Sequence, residues 1–252
     1  MTTKTTVRSY KVQVPVTRTV ELTRTDLPNG ISFAHPYFKG TAKQNRDSVR
    51  ELGLSKPTSG QLVSVADQIY TNGDEINQKV VSDFKDFMRL NWFRGFTALH
   101  YDTNTGLLYF AHDPALIEFD TDGRIKTLST SLLEKRLETG DKNILTVPLS
   151  DINPGEKKYN EIPRDKFMLG FAQGEEGAEA LARIAEKHTS KLAYSFIPSF
   201  NKGDIVTNIS ALGSYSGGGR LYVGGDGGLG RDGCVFGVFE NTGEASVRSV
   251  SK

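Results

Sequence analysis

His112-Asp113-Pro114 sets a titratable ring beside a carboxylate, the pairing that general acid–base chemistry uses. No nucleophile or second carboxylate is tied to it in sequence, and a turn leaving a hairpin is its simpler role. The other histidines, His35, His100 and His188, are scattered along the chain. None forms an HxxxH pair, so each reads as structural or surface rather than as a metal ligand. Cys234 is the single cysteine, which excludes an intrachain disulfide and a cysteine-based zinc site. Glu175 and Glu176 stand together, but at the start of a helical pattern that ends in Lys187 and His188. The helix dipole alone accounts for that order of charge. Gly225-Asp226-Gly227-Gly228-Leu229-Gly230 matches G-x-G-x-x-G, yet a strand-like run follows it. A pyrophosphate needs a helix N-terminus behind the glycines, so a nucleotide site is not supported. No cofactor is expected.

The informative segment is Gly213–Gly233, GSYSGGGRLYVGGDGGLGRDG, which holds ten of the 26 glycines. Lysine is missing from Gly203 through Ser251. A flexible linker is the bland reading. Against it, Arg220-Leu221-Tyr222-Val223 alternates like a strand, and Cys234–Phe239 returns to an apolar run, so both ends are anchored. Tyr, Ser, Gly, Asp and Arg on a rigid support are the residues of antigen-binding loops. Gly, Ser, Tyr, Asp, Arg and Cys are also reachable from an asparagine codon ending in a pyrimidine by replacing its adenines. Lysine codons are not. Alternation turns Leu221 and Val223 inward and Tyr222 outward. The expected contact surface is Tyr215, Gly217, Gly218, Tyr222, Gly224, Asp226, Gly228, Gly230, Arg231 and Asp232. Leu212, Phe236 and Val238 are expected beneath it. On this reading Tyr222→Ala or Asp226→Asn leaves stability nearly unchanged, whereas Phe236→Ala costs roughly 3–5 kcal/mol.

The elements that must position this surface follow from periodicity. Val12, Val14, Val16, Val20 and Leu22 alternate with polar residues, giving one or two strands between Thr6 and Leu22 with Pro15 at an edge or break. Pro28-Asn29-Gly30 is a turn before a short strand at Ile31–Phe33. Lys56-Pro57-Thr58-Ser59 starts a helix over 58–71, with Leu62, Val65, Ala66 and Ile69 as its stripe. Asp74 is expected to cap a second helix over 75–90. Phe96–Tyr101 and Leu107–Ala111 flank a turn and form a hairpin. Ser131-Leu132-Leu133-Glu134 has capping-box spacing for a short helix ended by Gly140. Residues 153–165 read as a loop and Phe167–Phe171 as a strand. A helix over 175–188 and strands at Leu192–Ile197 and Ile205–Leu212 complete an α+β pattern.

The chain has 252 residues and 37% apolar residues, enough for a real core. Its 31 basic and 30 acidic residues leave a net charge of +1, which gives no electrostatic reason to seek nucleic acid. No run approaches the ~18 apolar residues of a membrane span, so no membrane insertion is expected. No apolar signal-peptide run opens the sequence.

Leu212-Gly213-Ser214-Tyr215, Phe236-Gly237-Val238 and the helix start Lys56–Gln61 together resemble three motifs of one family. The chain looks like the variable proteins of diversity-generating retroelements, of archaeal or archaeal-virus type. Their fold is C-type-lectin-like and related to the formylglycine-generating enzymes. The resemblance spans roughly 55–240, with Tyr215 where the family has tryptophan and Val238 where it has arginine. It implies a C-type-lectin-like fold with a small twisted antiparallel sheet and flanking helices. It implies one domain over 1–252, with an N-terminal strand segment (about 1–28) and a variable-region-like segment (about 205–240). The implied role is a receptor-binding protein, not an enzyme, on a virion or cell surface. Its partner would be a host-surface protein or glycan, and its oligomeric state is open. Oxidation of the formylglycine type needs paired cysteines, which are missing. The alternatives are a structural protein of a virion or surface layer and, behind it, such an enzyme.

Overall fold

The computed structural model describes residues 6–14, 18–188, 190–214, 219–230 and 233–240. The chain opens with strands β1 (Thr6–Val14) and β2 (Arg18–Asp26), paired antiparallel from Thr6–Asp26 to Val14–Arg18. The Pro28–Gly30 turn closes through the Gly30 amide on the Leu27 carbonyl and leads to β3 (Ser32–His35) and β4 (Phe38–Lys39). Helix α1 (Ala42–Glu51) comes next, and sequence patterning did not predict it. Its apolar stripe is thin, only Ala42 and Val49 with Asn45 buried, but Thr41 and Gln44 form a reciprocal capping box that signals its start. Helix α2 (Ser59–Thr71) begins at the expected place, capped by Thr58 and Gln61 in the same manner. Helix α3 (Gln78–Leu90) is capped by Asn77 and not by Asp74, because Gly73–Glu75 forms a short 3-10 turn first.

The long strand β5 (Trp92–Asp102) turns through residues 103–106 into β6 (Leu107–Ala111). Helix α4 (Thr130–Glu138) is capped by Ser129, two residues before the expected Ser131. Strand β7 (Ile144–Pro148) pairs with β6. The segment read as a loop over 153–165 contains β8 (Gly155–Lys158) and a helical turn at Ile162–Arg164. Phe167–Phe171 is not a strand but lies in helix α5 (Lys166–Phe171). Asp165 caps it through the Met168 amide, and Phe167 and Phe171, four apart, bury on one side. A short apolar run has no period of its own, and the cap decided its conformation. Helix α6 (Glu175–Glu186), then β9 (Leu192–Phe196), β10 (Ile205–Gly213) and β11 (Leu221–Asp226) follow as expected.

The last apolar run splits into β12 (Gly233–Val235) and β13 (Val238–Phe239), which join different sheets. Gly237 sits at the crossing, where any Cβ would collide with the Leu54 side chain. The first sheet is β1-β2-β3-β13, all antiparallel. The second runs β4-β12-β5-β10-β11-β9-β8, with β6 and β7 continuing from β5. Its pairs are antiparallel except β11 with β9 and β12 with β5. Helices α2, α3, α5 and α6 cover one face of this sheet, over Phe93, Leu212, Leu221 and Val223. On the other face α1 and α4 cover Phe96, Tyr109, Ile209 and Val235. Among the described residues no helix is long and apolar enough to cross a membrane.

Candidate functional site

Strand β11 is built as the alternation dictates. Leu221 and Val223 are buried against the helical side, and Tyr222 is half-buried on the opposite face. Register then fixes its neighbours. Tyr222 lies opposite Tyr194 on β9 and Gly213 on β10, and Tyr194 lies opposite Glu156 on β8. Trp92, at the head of β5, is beyond Gly213, whose Cβ position would lie 3.3 Å from the indole. Tyr222 meets Trp92 edge-on, with centroids 6.1 Å apart and planes at 79°. Tyr194 is 5.7 Å from Tyr222 at 45°. The Arg220 guanidinium lies 6.0 Å from both tyrosine rings and pairs with Glu156. Beside this row Phe196 is 51% exposed, a large apolar side chain left in water.

One pleat along, Arg94 projects from β5 on the same face as Trp92 and is fully buried. Its Nε donates to Asp226 Oδ2 at 2.6 Å. Nη1 donates to the Gly40 carbonyl at 2.5 Å and to Asn45 Oδ1 at 2.9 Å, and Nη2 to the Gly230 carbonyl at 2.8 Å. A buried charge is tolerable only when paired and hydrogen-bonded, and these four contacts supply that. Asp226 and the Gly230 carbonyl thus both lie over Arg94 and are held from below. Gly233 has no side chain because any Cβ would overlap the guanidinium. The Gly228 amide donates to Asp226 Oδ1, and its carbonyl accepts from Ala42 at the start of α1. Gly228 has φ +86°, a left-handed conformation that suits glycine.

Of the ten expected surface residues, Tyr222 and Gly230 stand on the accessible side. Gly224 and Gly228 are buried, the first under Phe196 and the second against Ala42 and Ile125. Asp226 is 20% exposed and spends its carboxylate on Arg94 and the Gly228 amide. These three support the surface rather than present it. Consequently Asp226→Asn, expected from sequence to be silent, removes the charge that balances a buried guanidinium. Tyr215, Gly217, Gly218, Arg231 and Asp232 lie outside the described residues. Leu212, Phe236 and Val238 are buried scaffold, with Phe236 between Phe33 and Phe93 at 5.5 and 6.1 Å.

Sequence reasoning missed Arg94, Trp92, Tyr194 and Phe196. Arg94 carried a signal, a lone charge inside the apolar run Trp92–Leu99. Tyr194 and Phe196 join the site only through the parallel pairing of β9 with β11, which no local pattern encodes.

The histidines serve the frame. His112 Nε2 donates to the Gly170 carbonyl at 3.0 Å, and Nδ1 takes the Thr97 hydroxyl at 3.1 Å. Burial pushes its pKa down to about 4. It is a buried neutral ring holding β6 to α5, not a general base beside Asp113. Asp113 caps the turn at Pro114–Leu116 and pairs with Arg136. Among the described residues no group of three or more His, Cys, Asp or Glu could hold a metal ion.

No family model and no curated protein matches the chain. The structure is similar to a solved structure described as the accommodation of massive sequence variation in Nanoarchaeota by the C-type lectin fold. The TM-score is 0.57 at 15% identity, over 81% of this chain and 95% of the other. The chain therefore has a C-type lectin fold, α+β, with helices flanking antiparallel-rich sheets.

Proposed function

We propose that this chain is a ligand-binding protein that displays a variable surface on a C-type lectin scaffold. Its contact face is the aromatic row around Tyr222 with the flanking glycine-rich loops, including Tyr215, Gly217, Gly218, Gly230, Arg231 and Asp232. One observation carries the reading. Arg94 holds the chain after β11 by the Gly230 carbonyl, with Asp226 and Asn45 beneath, so at that point the anchor is backbone and not a side chain. Side chains there can change while the backbone stays put, as a diversified binding surface requires. The fold of the Nanoarchaeota protein, said to accommodate massive sequence variation, supports carrying that idea to this chain. A macromolecular ligand, a host-surface protein or glycan, fits an open face better than a closed pocket does. A virion or cell-surface location follows from that role, and an enzymatic role does not.

Trp92 is the single tryptophan of the chain, so its emission reports this face. The purified protein is titrated with a panel of glycans and of surface-protein extracts from candidate hosts. The expected result is a saturable emission change with at least one member of the panel, lost in Tyr222→Ala. Silence across the panel, or binding indifferent to Tyr222, favours a structural role in a particle or layer.

A further inference from the structure

Away from the aromatic row, a cleft of about 950 Å³ opens between α1, the chain entering α2, the turn at Pro114–Leu116 and β13. None of the described residues lining it belongs to Gly213–Gly233. Its volume suits a small ligand or one unit of a larger one. Leu54, Ile117, Val238 and Phe239 give it an apolar wall, and Arg46, Arg50 and Lys56 bring cations to it.

Lys56 sets the chemistry. It is half-buried, and its Nζ donates to the Pro114 carbonyl at 2.5 Å and lies 5.6 Å from the Phe96 ring centroid. Among the described residues it forms no ion pair. An ammonium has further protons to donate, and a cation drawn out of water without a counter-charge is costly. Burial lowers its pKa, and the Arg46 and Arg50 guanidiniums lower it further. Asp113 acts the other way, but less strongly than Arg46. The carboxylates at hand are committed elsewhere. Asp113 accepts the Ala115 amide with Oδ1 and Arg136 with Oδ2. Asp47 is shared by Lys43, Arg46 and Arg50. Glu240 is exposed and accepts the Ser55 hydroxyl.

The two arginines frame the lysine. Arg46 is fixed, with its guanidinium 4.7 Å over the Phe119 ring and Nε and Nη2 on Asp47 Oδ1. Arg50 lies one turn further along the same side of α1. It is 72% exposed and reaches Asp47 only at 3.5 Å, so its guanidinium is free to turn to a ligand.

We infer that this cleft receives an oxyanion of a ligand, a carboxylate, phosphate or sulfate, which pairs with Lys56, Arg46 and Arg50 while the attached body packs on Leu54 and Phe239. The inference goes beyond the binding face and does not rest on it. Its residues lie outside Gly213–Gly233, so the site stays constant when those loops change.

Lysine labelled with carbon-13 at Cε gives an NMR signal that reports ammonium protonation, and the signal missing from Lys56→Gln is that of Lys56. The protein is titrated separately with sodium glucuronate, inorganic phosphate and sodium sulfate, against sodium chloride at equal ionic strength. At least one oxyanion should shift the Lys56 signal saturably and raise its pKa toward the ordinary lysine value, since a bound anion favours the charged form. The order of the probes identifies the oxyanion. By calorimetry, Lys56→Gln should weaken binding about tenfold or more. Arg50→Gln should weaken it about threefold, and Tyr222→Ala should leave it unchanged. Thermal melts check that each variant folds, and the exposed Arg50 keeps the test decisive if Lys56→Gln does not. The inference is overturned if no oxyanion binds beyond the chloride control, or if binding ignores Arg50→Gln or a folded Lys56→Gln. Loss of binding in Tyr222→Ala also overturns it, because the anion would then sit on the aromatic row; the binding-face reading is untouched by failure of the cleft.

Discussion

At the scale of single residues, exposure and chemistry part company. Asp226 and Tyr222 belong to one strand, four residues apart, and sequence patterning assigns both to the surface. The structure gives Asp226 a buried guanidinium to balance and gives Tyr222 two ring contacts at a half-open face. Asp226→Ala should therefore cost about 3 kcal/mol, because it leaves Arg94 charged and unpaired in the interior. Tyr222→Ala should cost about 1 kcal/mol or less. Urea denaturation of the two variants decides between this order and its reverse. Phe236→Ala removes a ring packed on Phe33 and Phe93 and should cost about 3–5 kcal/mol in the same experiment. The sequence made Phe236 legible through the apolar run around it. It could not disclose Arg94 as the partner of Asp226, 132 residues away.

At the scale of elements, β5 and its junctions organise the molecule. Its pairing with β10 shifts between Ile209 and Ser210, and there the Phe96 amide turns to the Pro57 carbonyl at the start of α2. Thr97 in the same kink accepts the Ser59 amide and reaches His112, whose other nitrogen holds the end of α5. Four elements thus meet on one neutral imidazole. Its folded pKa of about 4 lies below the usual value of 6.5, so the unfolded chain binds the proton first as pH falls. The stabilisation is fully present above about pH 6.5 and is lost progressively toward pH 4, by about 3 kcal/mol. His100 and His188, also lowered by burial, act in the same direction. Thermal melting between pH 7.5 and 4.5 should show falling Tm, and His112→Gln should flatten the slope; a flat wild-type profile contradicts the assignment. Helices with strong stripes, α2, α3 and α6, were legible in sequence. Helices α1 and α5 were not, since one has a thin apolar stripe and the other is a six-residue helix whose apolar run Phe167–Phe171 shows no period and is set by its cap.

At the scale of the whole molecule, a single buried cluster draws side chains from Leu27 to Val238. That range predicts one cooperative unit: limited proteolysis should not release two stable halves near residue 125, and a pair of such fragments would reject it. The architecture also separates what holds the face from what faces outward. The central claim, that this face is a contact surface carried by an independent scaffold, is tested most directly by displaying two libraries and scoring resistance to protease. One randomises Tyr215, Gly217, Gly218, Tyr222, Arg231 and Asp232; the other randomises Arg94, Leu212 and Phe236. The account predicts that most clones of the first library resist cleavage like the parent and that nearly all of the second are degraded. Comparable collapse of the first library, or survival of the second, would contradict it.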